Sequence, residues 1–170
     1  TQYEGQAVGK VFRIHPDGAL DTTYQSPMSN FGWVQAIHPF PDGSALLGRA
    51  MKLVGGADTL SLLKLLPDGS LDPDFELLDY RVSTFFTPLT GVNDIHLLDG
   101  RMIVVGDFET IEGVERECIA LLNADGTVDL DHFNGVFCGD FENQIVSHRY
   151  LAGITPAPDG SYYIYGAYHG

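Results

Sequence analysis

The stretch HPDGALD, from His15 to Asp21, decides the fold because the chain repeats it. It returns as LPDGSLD (Leu66 to Asp72) and as NADGTVD (Asn123 to Asp129). An aromatic residue follows each copy at nearly the same distance, namely Tyr24, Phe75 and Phe133. A period of about 50 to 60 residues is typical of repeat architectures, in which each unit buries its apolar faces against its neighbours.

Asp-Gly pairs punctuate the chain in two alternating series. The first series is Asp17-Gly18, Asp68-Gly69 and Asp125-Gly126, and the second is Asp42-Gly43, Asp99-Gly100 and Asp159-Gly160. Glycine tolerates positive φ, and an aspartate side chain accepts a hydrogen bond from the backbone two residues on, so we predict turns at all six pairs. β-prone segments flank the second series and predict three hairpins, WVQAIHPF with SALLGRAM, Val92–Leu98 with Arg101–Gly106, and Ile154–Ala157 with Ser161–Tyr165.

The remaining segments are short, rich in Val, Ile, Tyr and Phe, and bounded by Gly, Pro or Asp, which indicates an all-β fold. We also predict strands at Val11–Ile14 and from Cys118 to Leu122. MIVV (Met102 to Val105) and YYIY (Tyr162 to Tyr165) are apolar at every position, as expected for strands covered on both faces. A stack of small sheets, as in a propeller, satisfies this requirement.

Three features of the sequence resemble the delta-60 repeat family. They are Val-x-x-Ile before an Asp-Gly turn (Val34 to Ile37, Val92 to Ile95), Gly106-Asp107-Phe108 after the second strand, and the closing segment Leu65 to Asp72. The second feature is replaced at Gly48-Arg49-Ala50 and at Gly166-Ala167-Tyr168. The resemblance implies propeller-like blades and a place in large secreted, cell-surface or phage virion proteins, and it implies no particular activity.

The repeat predicts a single array over residues 1–170, with about three four-stranded antiparallel blades. Two units are whole (32–90 and 91–152) and two are halves (1–31 and 153–170). Because propellers typically close with about 4 to 8 blades, we expect the array to be incomplete alone. Further repeats of a longer chain, or several copies forming an oligomer, would complete it; pairing of the two terminal halves with each other is a third option.

Composition excludes several classes of partner. The formal charge is −14, from 23 acidic residues against 9 Lys and Arg, and no basic cluster exists to bind nucleic acid. No apolar run approaches the roughly 18 residues that would insert in a membrane. The two cysteines, Cys118 and Cys138, are too few for a disulfide-built scaffold, and we expect free thiols in preference to one disulfide.

The acidic segments DGSLDPD (Asp68 to Asp74) and DGTVDLD (Asp125 to Asp131) suggest calcium, but their spacing fails the EF-hand pattern. Placing Gly126 at the invariant glycine puts Leu121 and His132 at the first and last ligand positions. His38 and His96 occupy equivalent places in the repeat and have no second ligand nearby. We therefore predict no metal and no cofactor, and we assign the aspartates to turns.

Two long connections, 76–91 and 134–153, follow the closing motif of successive units, where the first unit has only 25–32. Insertions at equivalent positions of a repeat lie on one rim, which is often the binding face. Both carry aromatic and arginine residues, types that dominate interface hot spots: Tyr80, Arg81, Phe85, Phe86, Phe137, Phe141, Arg149 and Tyr150. The alternative is that these aromatics pack beneath their own loops.

The sequence thus predicts a non-enzymatic structural or binding module of a larger extracellular, cell-surface or virion (tail or fibre) assembly. Its partners would be other proteins or further repeats, with a glycan as a further candidate. The alternative is a glycan-acting hydrolase or lyase that uses carboxylates on neighbouring rim loops, such as Asp79 and Asp140.

Overall fold

A computed structural model of the 170-residue chain describes residues 2–82, 90–136 and 148–169; within β12 and β13, the side chains of 148, 149 and 167–169 are not described. The described ranges contain β-strands and no helix. In chain order the strands are β1 (Gln2–Tyr3), β2 (Gln6–Ala7), β3 (Met28–Pro39), β4 (Ala45–Leu53), β5 (Leu60–Leu65), β6 (Tyr80–Arg81), β7 (Gly91–Leu98), β8 (Arg101–Asp107), β9 (Thr110–Ile111), β10 (Val114–Glu115), β11 (Ile119–Leu122), β12 (His148–Pro156) and β13 (Tyr162–His169).

Three antiparallel sheets follow one another along the chain. Sheet 1 has the order β3-β4-β5, sheet 2 has the order β7-β8-β11, and sheet 3 consists of β12 and β13. The hairpins predicted around Asp42, Asp99 and Asp159 are confirmed as β3–β4, β7–β8 and β12–β13. Sheets 1 and 2 therefore contain the same three strands of the repeat, and sheet 3 contains the first two.

The closing motif makes the fourth segment of each unit, and in the structure this segment is a tight return rather than a full strand. One bridge joins it to the third strand in each copy, Leu65 to Leu71 and Leu122 to Val128. The backbone N–H groups of Asp72 and Asp129 donate to Lys64 and Leu121, both at 2.9 Å. The predicted four-stranded blade is thus a three-stranded sheet with a short fourth edge.

The sheets stack face to face, so the core lies between units. Ala36, Leu46 and Leu62 of sheet 1 belong to the same buried cluster as Ile95 and Val104 of sheet 2. The opposite face of sheet 2 packs against sheet 3, where Ile103, Val105 and Leu121 cluster with Leu151 and Ile154. Residues 102–105 are 2%, 0%, 0% and 0% exposed, which confirms that this strand is covered on both faces.

The structure differs from the sequence-based prediction at two strands. β3 begins at Met28, before the predicted unit boundary at 32. The strand can continue through residue 32 because glycine has no side chain to collide with the Ala50 carbonyl. A Cβ at Gly32 would stand 1.9 Å from that oxygen. The predicted strand Val11–Ile14 is wrong, since only Ile14 makes a bridge, to Leu20. In the other units the third strand pairs with a second strand, and for Val11–Ile14 such a strand is absent from the described residues.

Cys118 is disulfide-bonded, so the prediction of a free thiol there is wrong. The residue has positive φ (60°) and is 2% exposed, directly before β11. Cys138 lies outside the described residues. In the described ranges we find no helix with the length and apolar character needed to cross a membrane.

Candidate functional site

In five of the six Asp-Gly turns, the aspartate side chain accepts hydrogen bonds from its own turn. The Oδ1 of Asp42 accepts from the Ser44 N–H at 2.9 Å and from the Ser44 hydroxyl at 2.6 Å. Asp68, Asp125 and Asp159 repeat both bonds, and Asp17 repeats the backbone bond. The hydroxyl and backbone bonds hold the pKa of Asp42, Asp68, Asp125 and Asp159 below the ordinary value. The sixth turn differs, because Asp99 and Gly100 both have positive φ (48° and 79°), as a two-residue hairpin requires.

The last aspartate of each motif copy is buried and paired with a cation. Oδ2 of Asp21 lies 2.7 Å from Nε of Arg13, and Oδ2 of Asp72 lies 2.8 Å from Nζ of Lys64. Oδ2 of Asp129 lies 2.9 Å from Nη1 of Arg101. The bond from Lys64 is the largest cause of the lowered pKa of Asp72. For Asp21 the largest is the hydroxyl of Thr23, followed by Arg13. Burial acts to raise the pKa of Asp129, but bonds from His132, Asp131 and Arg101 outweigh it and lower the value. These carboxylates hold the closing segment in place.

The described residues contain no group of three His, Cys, Asp or Glu side chains placed to hold a metal ion. Of the aspartates that suggested calcium, Asp68 and Asp125 accept hydrogen bonds within their own turns, and Asp72 and Asp129 form ion pairs. His38 and His96, which occupy equivalent positions, contact aromatic rings edge-on: Phe40 at 5.5 Å and Tyr162 at 5.2 Å between centroids. Their contacts are those of packing residues.

The first rim connection contributes β6 to a small sheet with the β9–β10 hairpin of the next unit. Tyr80, which we predicted at a partner surface, is 7% exposed and packs edge-on against Phe108 at 5.4 Å. Burial raises the pKa of Tyr80 far above its ordinary value. At this position the structure corrects the predicted binding role and supports the alternative, packing beneath the loop. The residue alternates with Arg81 along β6, so one faces the core and the other the solvent.

Arg81 is exposed, and its Nε donates to the carboxylate of Asp79 at 2.5 Å. The Asp79 N–H in turn donates to Glu112 at 2.6 Å. Asp79 and Arg81 border an open groove of about 710 Å³ between sheet 1 and the small sheet, lined also by Asp58 and Thr59. A partner-binding role of Arg81 stays a prediction, and so does the enzymatic alternative, because Asp140 lies outside the described residues.

The other predicted rim residues cannot be placed as a group. Phe85, Phe86, Phe137 and Phe141 lie outside the described residues, and the side chain of Arg149 is not described. Tyr150 is half-buried on β12, the first strand of sheet 3. Tyr150 therefore lies in a different sheet from Tyr80 and Arg81, which form β6 of the small sheet. Binding by these residues stays a prediction.

Sequence reasoning missed a polar network that crosses the three sheets along their first and second strands. Arg49 donates from Nη1 to Oδ1 of Asn93, and Asn93 donates from Nδ2 to the Leu151 carbonyl at 2.8 Å. The Ile154 N–H donates to Oδ2 of Asp94 at 3.0 Å. The signal in the sequence was the pair Asn93-Asp94 inside an otherwise apolar strand.

Arg49 replaces the aspartate of the Gly-Asp-Phe sequence motif, and contacts on both sides hold its side chain. Its guanidinium lies 5.5 Å from the Trp33 ring and is attracted by the carboxylate of Asp107. Burial lowers the pKa of Arg49, with the Asp107 carboxylate acting in the opposite direction. The network ties the three sheets together through side-chain hydrogen bonds.

The outer faces of the first and last sheets expose large apolar residues. On sheet 3, Tyr163 and Tyr165 are 69% and 59% exposed on the face away from sheet 2. On sheet 1, Ile37 is 58% exposed on the face away from sheet 2, although its equivalent Ile95 is 7% exposed. These two faces are the strongest candidate interaction surface among the described residues.

With this geometry established, one protein family matches the chain, a domain of unknown function (DUF5122) beta-propeller. The match covers residues 1–24, 41–75 and 97–131, which is more than half of the chain. The chain belongs to this family. No curated protein and no solved structure matches it. The predicted all-β, propeller-like repeat is therefore confirmed.

The matched segments of the beta-propeller family and the rim connections do not overlap. Each segment includes one closing motif, and the second and third also include the preceding hairpin turn, at Asp42 and Asp99. Tyr80 and Arg81 fall between the second and third segments. The family match thus accounts for the scaffold of turns and sheets and leaves the rim connections to this chain.

Proposed function

We propose that the chain is a non-enzymatic structural module of a propeller, whose function is to join further repeat units or protein partners through its outer sheet faces. One observation carries this proposal, the exposure of Tyr163 and Tyr165 at positions whose equivalents in sheet 2 are buried. Large exposed apolar patches mark interaction sites. The acidic residues of the repeated motif, by contrast, are used in turns and ion pairs.

We further propose the delta-60 repeat as the finer family, on Val92 to Ile95, Gly106 to Phe108 and Leu65 to Asp72. The proposed location is an extracellular, cell-surface or virion assembly. The disulfide at Cys118 supports this location, because disulfides persist in oxidising environments and are rare in the cytosol. The acidic charge of −14 keeps such a module soluble in saline surroundings.

A polysaccharide panel tests the non-enzymatic proposal. The intact chain is incubated with neutral and acidic polysaccharides, and new reducing ends and unsaturated sugars are measured. We expect no turnover on any of them and no difference between the wild type and Asp79→Asn. Turnover that Asp79→Asn abolishes would overturn the proposal in favour of the rim-carboxylate alternative.

A further inference from the structure

Two exposed aromatic side chains lie near the start of β3, each with a cation over its ring. Phe31 and Trp33 are 43% and 45% exposed. Nζ of Lys52 lies 4.7 Å from the centre of the Phe31 ring. The guanidinium of Arg49 lies over the Trp33 ring. Since each cation covers one face of a ring, the other face and the ring edge are the parts open to solvent.

A third cation reaches this group from the segment before sheet 1. Nζ of Lys10 donates to the carbonyl of Gly32, the residue between the two aromatics. Nζ of Lys52 donates to the Ala57 carbonyl at 2.7 Å. An ammonium group has three donors, so a backbone bond fixes each lysine and leaves donors for an anion. The surface named the β3 patch consists of Lys10, Phe31, Trp33 and Lys52.

The charge of the β3 patch is opposite to that of the chain as a whole. The chain carries a formal charge of −14 and has three lysines, Lys10, Lys52 and Lys64. Lys64 pairs with Asp72, whereas Lys10 and Lys52 form no ion pair with a described carboxylate. Three arginines are likewise paired with aspartates. Unpaired positive charge beside exposed rings in an acidic protein attracts an anion to this place.

The β3 patch lies within a paired part of sheet 1. Trp33 pairs with Ala50 of β4. Arg49, which lies over Trp33, also donates to Asn93 of sheet 2. The Trp33 ring therefore stands at the junction of sheets 1 and 2, which is formed within this chain, and its exposure does not arise from an uncovered outer sheet.

We propose that the β3 patch binds a glycan through one sugar acid, a pyranose ring that bears a carboxylate. One face of a pyranose ring exposes mainly C–H bonds, which pack on the rigid face of an aromatic ring. The carboxylate accepts charge-assisted hydrogen bonds from Lys10 and Lys52. Phe31 and Trp33 are about 7 Å apart along the strand, so neighbouring sugars of one glycan can contact both rings.

Backbone groups at the patch are already bonded, which disfavours a peptide strand as the ligand. The Phe31 N–H donates to the Ser29 hydroxyl at 3.2 Å, and the Gly32 carbonyl accepts from Lys10. A peptide that added to the edge of β3 would need free backbone groups there. Recognition is left to the rings and the ammonium groups, and a flat ring with its own carboxylate engages both.

The charge of the whole chain favours a ligand with few charges. A net charge of −14 repels a densely charged polymer such as a nucleic acid, which binds through many basic contacts. Two unpaired lysines suffice for one carboxylate. Ligand binding at the β3 patch goes beyond the joining function proposed above and does not depend on it.

Fluorescence of Trp33 reports on the patch directly, because Trp33 is the only tryptophan of the chain. The full chain is titrated with sialyllactose and with digalacturonate, which supply two kinds of sugar acid, and with the methyl ester of each as an uncharged control. We expect the acids to change the Trp33 emission in a saturable way and the esters to bind about five-fold more weakly. Binding of one acid alone identifies the kind of sugar acid and still supports the site.

Lys52→Gln removes one charge of the patch, and we expect the dissociation constant for the bound sugar acid to rise about three- to five-fold. Leu130→Glu is the matched control, because it makes the same change in net charge at a side chain that is 63% exposed on the closing motif after sheet 2. Phe31→Ala removes one of the two stacking rings, so it should also weaken binding while Trp33 still reports it.

Quenching of Trp33 without a ligand measures the local charge. Quenching constants for iodide and caesium are each divided by the constant for N-acetyltryptophanamide. We expect the iodide value to exceed the caesium value about two-fold, although the chain is acidic. Lys52→Gln should lower this ratio, and Leu130→Glu should leave it unchanged.

A Trp33 emission that neither sugar acid changes would overturn the sugar-acid site. So would esters that bind as well as the acids, a caesium value at or above the iodide value, or equal weakening by Leu130→Glu and Lys52→Gln. Equal binding of the blocked peptide Gly-Glu-Gly, or tighter binding of uridine monophosphate, would also overturn it and assign the patch to a protein segment or a nucleotide. None of these results involves the outer sheet faces or sugar turnover, so each leaves the proposed function standing.

Discussion

Gly126→Ala is expected to destabilise the protein much more than Gly160→Ala, although both glycines close Asp-Gly turns of the same shape. Their φ angles are 91° and 86°, so an alanine costs both variants about the same 1 to 3 kcal/mol of backbone strain. A Cβ at Gly160 meets nothing within 4 Å. A Cβ at Gly126 stands 2.9 Å from Cζ of Phe75 and 3.0 Å from the Glu76 carbonyl oxygen.

Neither neighbour of Gly126 can move aside at low cost. Phe75 is 4% exposed within the cluster between sheets 1 and 2, and Glu76 donates its N–H to Asp125 at 2.7 Å. Forcing a methyl group into a packed site costs about 1 to 3 kcal/mol, which is the expected difference between the two variants.

Urea unfolding followed by far-UV circular dichroism measures this difference, from the shift of the midpoint at constant slope. Phe75→Leu removes the ring atoms nearest Gly126, so in that background the difference between Gly126→Ala and Gly160→Ala should shrink to the part due to the carbonyl contact. Equal free energies of unfolding for the two glycine variants would refute the reasoning, because the turns would then not be docked on the preceding unit.

Three further predictions concern the buried polar groups. Lys64 lowers the pKa of Asp72 in the folded state, so the ionised Asp72 contributes stability above about pH 4, and this contribution is lost as the pH falls towards the lowered value. Asp72→Asn should therefore flatten the acid limb of a profile of melting temperature against pH. The exposed control Asp58→Asn should leave that limb unchanged. The Tyr80 hydroxyl is buried without a hydrogen-bond partner among the described residues, so Tyr80→Phe should leave the free energy of unfolding unchanged or raise it by up to about 1 kcal/mol, and a loss above that size would contradict this prediction. Because Cys118 is disulfide-bonded, its sulfur should not react with an alkylating reagent when the protein is denatured without reduction. Peptide mapping measures this reaction, and alkylation of Cys118 before reduction would contradict the prediction.

Local chemistry made the turns and hairpins predictable from sequence. The Asp-Gly pairs define backbone geometry within four residues, and the alternation of two series gave the period of the repeat. The structure of Tyr80 could not be predicted in this way, since its burial depends on β6 joining a hairpin of the next unit. Arg49 was also missed, because its partner Asn93 lies in another sheet. Sequence pattern described each unit well and the contacts between units poorly.

Because the units repeat, each residue on an exposed outer face can be compared with its equivalent in a sheet that another unit covers. Terminal units of repeat proteins that end an array carry polar outer faces, because nothing covers them. Sheet 3 instead has Tyr163 and Tyr165 where sheet 2 has Ile103 and Val105, both 0% exposed. Ile37 at the other end keeps the residue type of its buried equivalent. Both faces thus have the composition of an interior, which argues that neither sheet is a cap and that another unit covers each of them.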